Sequence, residues 1–278
     1  MSRIMTTAGE DYLATTPEQE KFFQRRTASI VGLSAFILPI AVIYYDQLSG
    51  PSCRRESISH YFYAPDAGQF FVVLLAFIGG FFLRYKGERP QDAWAAKVGC
   101  LAALCVAFFP TGGIGCLEDG SFDVLLGVEM AGASSLVQLG EFSYAVNPEP
   151  DIGGATPAPF AFTAAFSNDL NNTLHKLSAL VLFLVLGWFS FFAFRRVNAG
   201  RDLTADGTFT QVKRVRNALY LICAAGMALG AVIIGLSFAG LDVVARPVFV
   251  GEAVFLTLAG VSWLIKGRFL LFSGQGGD

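Results

Sequence analysis

Apolar residues gather into six windows, approximately Ile30 to Tyr45, Gln69 to Tyr85, Ala95 to Pro110, Leu177 to Phe194, Leu219 to Ala239 and Val248 to Ile265. A membrane-spanning helix needs roughly 20 mostly apolar residues, and flanking residues bring the shorter windows up to that length. The pattern predicts an all-α, polytopic transmembrane bundle of six helices. A further apolar stretch, Val124 to Leu139, is interrupted by Glu129, Ser134, Ser135 and Gln138. It reads as an amphipathic or re-entrant segment outside the bundle. Ahead of the first window, Thr16-Pro17-Glu18-Gln19 has the make-up of a helix start: a capping threonine, proline at the first helical position and a glutamine to complete a capping box. That start opens either a short interfacial helix or a tail running straight into the first span.

Charge fixes the expected orientation. Lys21, Arg25 and Arg26 precede the first span; Arg84, Lys86, Arg89 and Lys97 lie at or between the second and third. Arg195, Arg196, Arg201, Lys213, Arg214 and Arg216 lie between the fourth and fifth, and Lys266 and Arg268 follow the sixth. With six spans all of these fall on one side, which the positive-inside rule makes cytoplasmic. Both chain ends are then cytoplasmic. The long loop 111–173, between the third and fourth spans, carries Glu118, Asp119, Asp123, Glu129, Glu141, Glu149, Asp151 and Asp169 and no Lys or Arg. It belongs outside, and its proline- and glycine-dense stretches from Asn147 to Pro159 exclude a continuous helix there. The resulting division is a cytoplasmic segment 1–26, a membrane domain 27–272 and a short tail 273–278. Residues 1–26 carry Glu10, Asp11, Glu18 and Glu20 ahead of any apolar core, unlike a secretory signal. A bacterial inner, or plasma, membrane is the expected location.

Composition agrees with this picture. The chain is 54% hydrophobic and 15% charged, where soluble domains carry about a quarter charged residues; its mean hydropathy is +0.53. A net charge of -2 without a basic face disfavours nucleic acid as a partner. The expected partners are membrane lipids, with a second copy or a membrane complex as further candidates. Of the five cysteines, Cys100, Cys105 and Cys223 fall inside spans, where cysteine packs as a small apolar residue. Cys53 and Cys116 fall in outer loops and, in an oxidising compartment, are placed to form a disulfide.

The chemistry-bearing residues converge on the outer side. The two histidines, His60 and His175, each lie close to the start of an inward-running span. Ser57, Ser59 and Arg54 surround the first, Asp46 ends the first span, and Arg246 and Glu252 border the sixth. Glu252 falls slightly inside the hydrocarbon boundary, where an ionised group needs a partner, and Arg246 is the candidate. These residues form a candidate ligand-binding set. A histidine near a serine and a carboxylate also suits acid–base or nucleophilic chemistry, and two histidines on one face suit a haem or metal. The sequence lacks GxSxG, HExxH and paired HxxxH motifs, so no metal or cofactor is assigned. Mutual satisfaction of these groups at the interface is the plain alternative, with Asn172 and Thr173 as ordinary helix caps. Transport is disfavoured, because the span interiors carry neither paired charges nor breaks, Pro39 being the one proline well within a span.

The first 195 residues resemble the DRAM and Sfk-type six-helix membrane proteins. The likeness rests on Ser57-Ile58-Ser59 after span one, Pro65, a Phe/Gly-rich span two ending in Arg84-Tyr85-Lys86, and His175 with Ala179 opening span four. The family often carries Asp after Ser-x-Ser, where this chain has His60, and has a shorter outer loop. Bacterial multi-pass proteins of unknown function carry a similar Ser-x-Ser-x-Tyr-Tyr motif. The resemblance implies a lipid-related role without a defined reaction. The expected functions are therefore a membrane protein that binds a lipid or amphiphile at the outer leaflet, a membrane-embedded hydrolase or transferase using an outer-face histidine, or a structural subunit of a membrane complex.

Overall fold

A computed structural model describes residues 17–48, 54–63, 67–109, 111–112, 116–117, 168–197 and 202–268. Among the described residues, six helices are long and apolar enough to cross a membrane, as a multi-pass integral membrane protein requires. They are α1 (Pro17–Leu48), α2 (Ala67–Arg84), α3 (Pro90–Phe108), α4 (Asn168–Trp188), α5 (Gln211–Phe238) and α6 (Pro247–Lys266). A five-residue 3-10 helix, Ser59–Tyr63, precedes α2, and a π-helical turn, Phe189–Ala193, extends α4. Two-residue strands β1 (Arg54–Arg55) and β2 (Cys116–Leu117) pair antiparallel, with Arg55 opposite Cys116.

The helix start expected at Pro17 is where α1 begins, and it leads without a break through the first span and past Pro39. Among the described residues, 17–26 belong to the spanning helix rather than to a separate interfacial one. The stretch from Val124 to Leu139, the proline-rich part of the long loop and Cys53 lie outside the described residues, as do the side chains of Cys116, Asp46 and Arg54. Cys100 and Cys223 are buried thiols and Cys105 is partly buried, as expected of cysteines packed within spans.

The helices form an incomplete ring in the order α5, α6, α1, α2, α3, α4, each packed along its neighbour, while α4 and α5 barely touch. Two close crossings hold α6 in place. A Cβ on Gly260 would collide with the Gly32 carbonyl of α1, and one on Gly251 with the Gly230 carbonyl of α5. Absent side chains let the backbones meet, as is common between membrane helices.

The two ends of the ring are filled differently. Near the chain's basic loops, Trp263 is fully buried among Phe82, Tyr85, Phe189 and Phe194, with ring centroids 4.9–5.3 Å away. The π turn draws α4 onto α5 and α6 there, and the Ser190 and Ser262 hydroxyls meet at 2.6 Å. Asp92 accepts from the amides of Glu88 and Arg89, each at 3.1 Å, and takes Arg196 at 2.6 and 2.7 Å. Asp202 pairs with Lys213 at 3.3 Å and Arg216 at 3.4 Å. At the opposite end α4 and α5 diverge, and a cavity takes the place of packed side chains.

Candidate functional site

The site is built on the segment 55–63, which must turn from β1 into α2. Its backbone is tied to α6, and to Arg246 just before that helix, at Arg55, Glu56, Ile58 and Ser59. The Arg246 guanidinium donates to the Arg55 carbonyl, the Phe249 amide donates to the Glu56 carbonyl at 2.9 Å, and the Ile58 amide donates to Glu252 Oε2 at 2.6 Å. The Ser59 amide and hydroxyl also donate to Glu252. A carboxylate at the amino end of a short helix satisfies amides that have no partner within the helix. This corrects the expected Arg246–Glu252 pairing. Glu252 is held by amides and a hydroxyl, while Arg246, in the left-handed backbone region at φ 53°, sits over the Phe249 ring at 4.1 Å and anchors the Arg55 carbonyl.

That anchoring presents Ser57 and His60 on one face. Ser57 Oγ lies 2.7 Å from His60 Nδ1, and His60 Nε2 lies 3.2 Å from the Gly112 carbonyl. A carbonyl can only accept, so Nε2 carries the proton and Nδ1 accepts from the Ser57 hydroxyl. Both ring nitrogens are thereby engaged. Burial lowers the pKa of His60 from 6.5 to about 4; the Gly112 carbonyl opposes the shift, and Arg55, His175 and Lys176 add to it. His60 is neutral at physiological pH.

The second histidine arrives from α4. The helix begins at Asn168, so Asn172 and Thr173 lie inside it and are not its caps. Asn172 instead accepts from the Gly112 amide at 3.1 Å, tying α4 to the end of the α3 segment. One turn on, His175 is 2% exposed and its Nδ1 sits 2.7 Å from the Phe109 carbonyl. The spacing of three places Asn172 and His175 on one helix face.

Ser57, Ser59, His60, His175 and Glu252 line one cavity of about 580 Å³. It has the size of sites for small organic ligands, about 300–1,000 Å³. Its floor and sides are apolar: Leu180 and Phe183 from α4, Ala231, Ile234 and Phe238 from α5, and Val248 from α6. Phe183 stacks on Phe255 of α6 at 4.1 Å behind this wall. Lys176 and Glu56, both exposed, stand at the polar end. Five of the residues singled out in the sequence therefore share a site. Arg246 supports it from behind, and the side chains of Asp46 and Arg54 lie outside the described residues.

Sequence reasoning missed Gly112, Asn172, Lys176 and the α5 wall. The helical spacing of Asn172, His175 and Lys176 was a usable signal; nothing local marks Gly112. Among the described residues, no cluster of three or more His, Cys, Asp or Glu side chains is arranged to hold a metal ion. No known protein family, curated protein or solved structure matches this chain.

Proposed function

We propose that this membrane protein holds a single amphiphile in the cavity between α4 and α5, its head against the two histidines and its tail along the apolar helix faces. The observation that carries this reading is the composition of the cavity wall, polar at the His60 end and apolar along α4, α5 and α6. The cavity also falls where α4 and α5 diverge, so an acyl chain has a path in from the side. By the positive-inside rule the Arg196 end, with Arg195, Arg196, Lys213, Arg214 and Arg216, is cytoplasmic. The site then serves the opposite leaflet, and the resemblance to DRAM and Sfk-type proteins points to the same lipid-related class. Gentle purification followed by lipid mass spectrometry tests the reading. A bound amphiphile is expected at near one per chain, falling at least several-fold in a folded His60→Ala/His175→Ala variant. Absence of any lipid from the wild-type protein refutes it.

A second reading is favoured by the 2.7 Å contact of Ser57 with His60. In it Ser57 is a nucleophile activated by a neutral imidazole, as in acyl hydrolases and transferases. A fluorophosphonate probe is expected to label the wild-type protein and to leave Ser57→Ala unlabelled. Equal labelling of the two, or none of either, removes this reading and leaves the first intact.

A further inference from the structure

Most polar groups of the cavity are already engaged within the fold. Ser57 donates to His60, His60 donates to the Gly112 carbonyl, and Glu252 takes the Ile58 amide with the Ser59 amide and hydroxyl. His175 holds the Phe109 carbonyl through Nδ1, and its Nε2 is sealed inside the protein. Thr111 is likewise partnered. The histidine rings therefore shape the wall, and the head of an occupant finds its electrostatic partners elsewhere. Two side chains remain, Glu56 and Lys176. Both line the polar end and both are exposed. Among the described residues, neither side chain has an ion-pair or hydrogen-bond partner, so these opposite charges share one cavity without pairing with each other.

Their places in the fold differ. Lys176 heads a face of α4 that continues through Leu180 and Phe183, at steps of four and three, down the apolar wall. Glu56 stands instead on the connecting segment, one residue beyond β1. A charge attached directly to the tail thus meets Lys176, leaving Glu56 for a charge carried beyond it. Resting on the amphiphile reading above, we infer that the cavity selects a zwitterionic phospholipid head, with its phosphate against Lys176 and its ammonium against Glu56. In a phosphoethanolamine head the phosphate lies nearer the tail and the ammonium at the tip, the order these two residues present. A purely anionic head pairs with Lys176 but faces the like charge of Glu56, and a purely cationic head meets the reverse. An uncharged hydroxyl head accepts from Lys176 and donates to Glu56, but brings no counter-charge to either. Because both residues are exposed, each contact is of modest worth and is screened by salt, so the selection is several-fold.

The test uses the full chain in detergent micelles at low ionic strength with radiolabelled lauroyl lysophosphatidylethanolamine. Competitors are the unlabelled lipid, lauroyl lysophosphatidylglycerol, which keeps the phosphate and loses the ammonium, and monolauroylglycerol, which loses both. The ethanolamine lipid is expected to compete about threefold better than either. In Glu56→Gln the gap between the two phospholipids closes. In Lys176→Gln both phospholipids weaken relative to monolauroylglycerol. Equal competition by all three in the wild-type protein overturns the selection while leaving amphiphile binding intact. A gap that survives Glu56→Gln overturns the role of Glu56, and phospholipid binding unchanged in Lys176→Gln overturns that of Lys176. If the labelled lipid does not bind at all, the amphiphile reading fails and this inference with it. Should either variant fail to fold, the three-way comparison in the wild-type protein still decides.

Discussion

His60 stays neutral because protonation would place a charge in a half-buried setting where both ring nitrogens already have neutral partners. Its pKa in the fold, about 4, lies below the ordinary 6.5, so the unfolded chain binds a proton in a range where the folded one does not. By linkage, the contribution of this group to stability is fully present above 6.5, is lost as pH falls toward 4 and levels off below that. Thermal unfolding in detergent across that range is expected to show the decline, and His60→Asn to show a shallower one. At this scale the sequence was informative about identity and poor about partnership. Both histidines, Ser57, Ser59 and Glu252 were visible as polar residues beside apolar windows. That Glu252 would face the amides of Ile58 and Ser59 was not visible, because Ile58 lies 194 residues away in the chain. A like-minded pairing with nearby Arg246 was the natural guess, and the tie of Arg246 to the Arg55 carbonyl displaced it.

The helices themselves were legible, since a span needs a long apolar window and little else. Their ends were not. Polar first turns such as Asn168–Thr173 and Gln211–Arg216 are helical although no apolar pattern marks them; Asn172 takes the Gly112 amide, and Lys213 and Arg216 pair with Asp202. The ion pairs at the Arg196 end differ in worth. Asp92 is almost fully buried and Arg196 largely so, whereas Lys266 and Glu88 form a more exposed pair at 2.7 Å. Removing one partner of a buried pair strands the other charge, at about 3 kcal/mol or more, while exposed pairs contribute about 0–1 kcal/mol. Arg196→Met is therefore expected to lower the unfolding temperature clearly, and Lys266→Met to change it little; equal losses would contradict this ranking. The π turn is the element with no signal in composition, yet it sets where α4 meets α5.

At the scale of the whole molecule, the ring closes through α1 and α6, helices far apart in sequence, and opens between α4 and α5, which are neighbours in sequence. An apolar profile gives the number of spans but not their neighbours, so the position of the gap, and with it the cavity, could not be read from the chain. Orientation rests on the loop charges and is directly testable. Single cysteines placed at Lys176 and at Arg214 are expected to react with a membrane-impermeant maleimide from opposite sides, Lys176→Cys from outside intact cells and Arg214→Cys only after permeabilisation. The reverse pattern would move the candidate site to the inner leaflet.

The divergence of α4 from α5 also decides how any occupant must be counted. For an occupant that enters between α4 and α5, as proposed above, the relevant concentration is a mole fraction within the surrounding apolar phase rather than molarity in water. Apparent affinities measured in micelles should then follow the ratio of amphiphile to detergent and be insensitive to dilution of both together. Surface dilution, rather than solubility, would govern how full the cavity is.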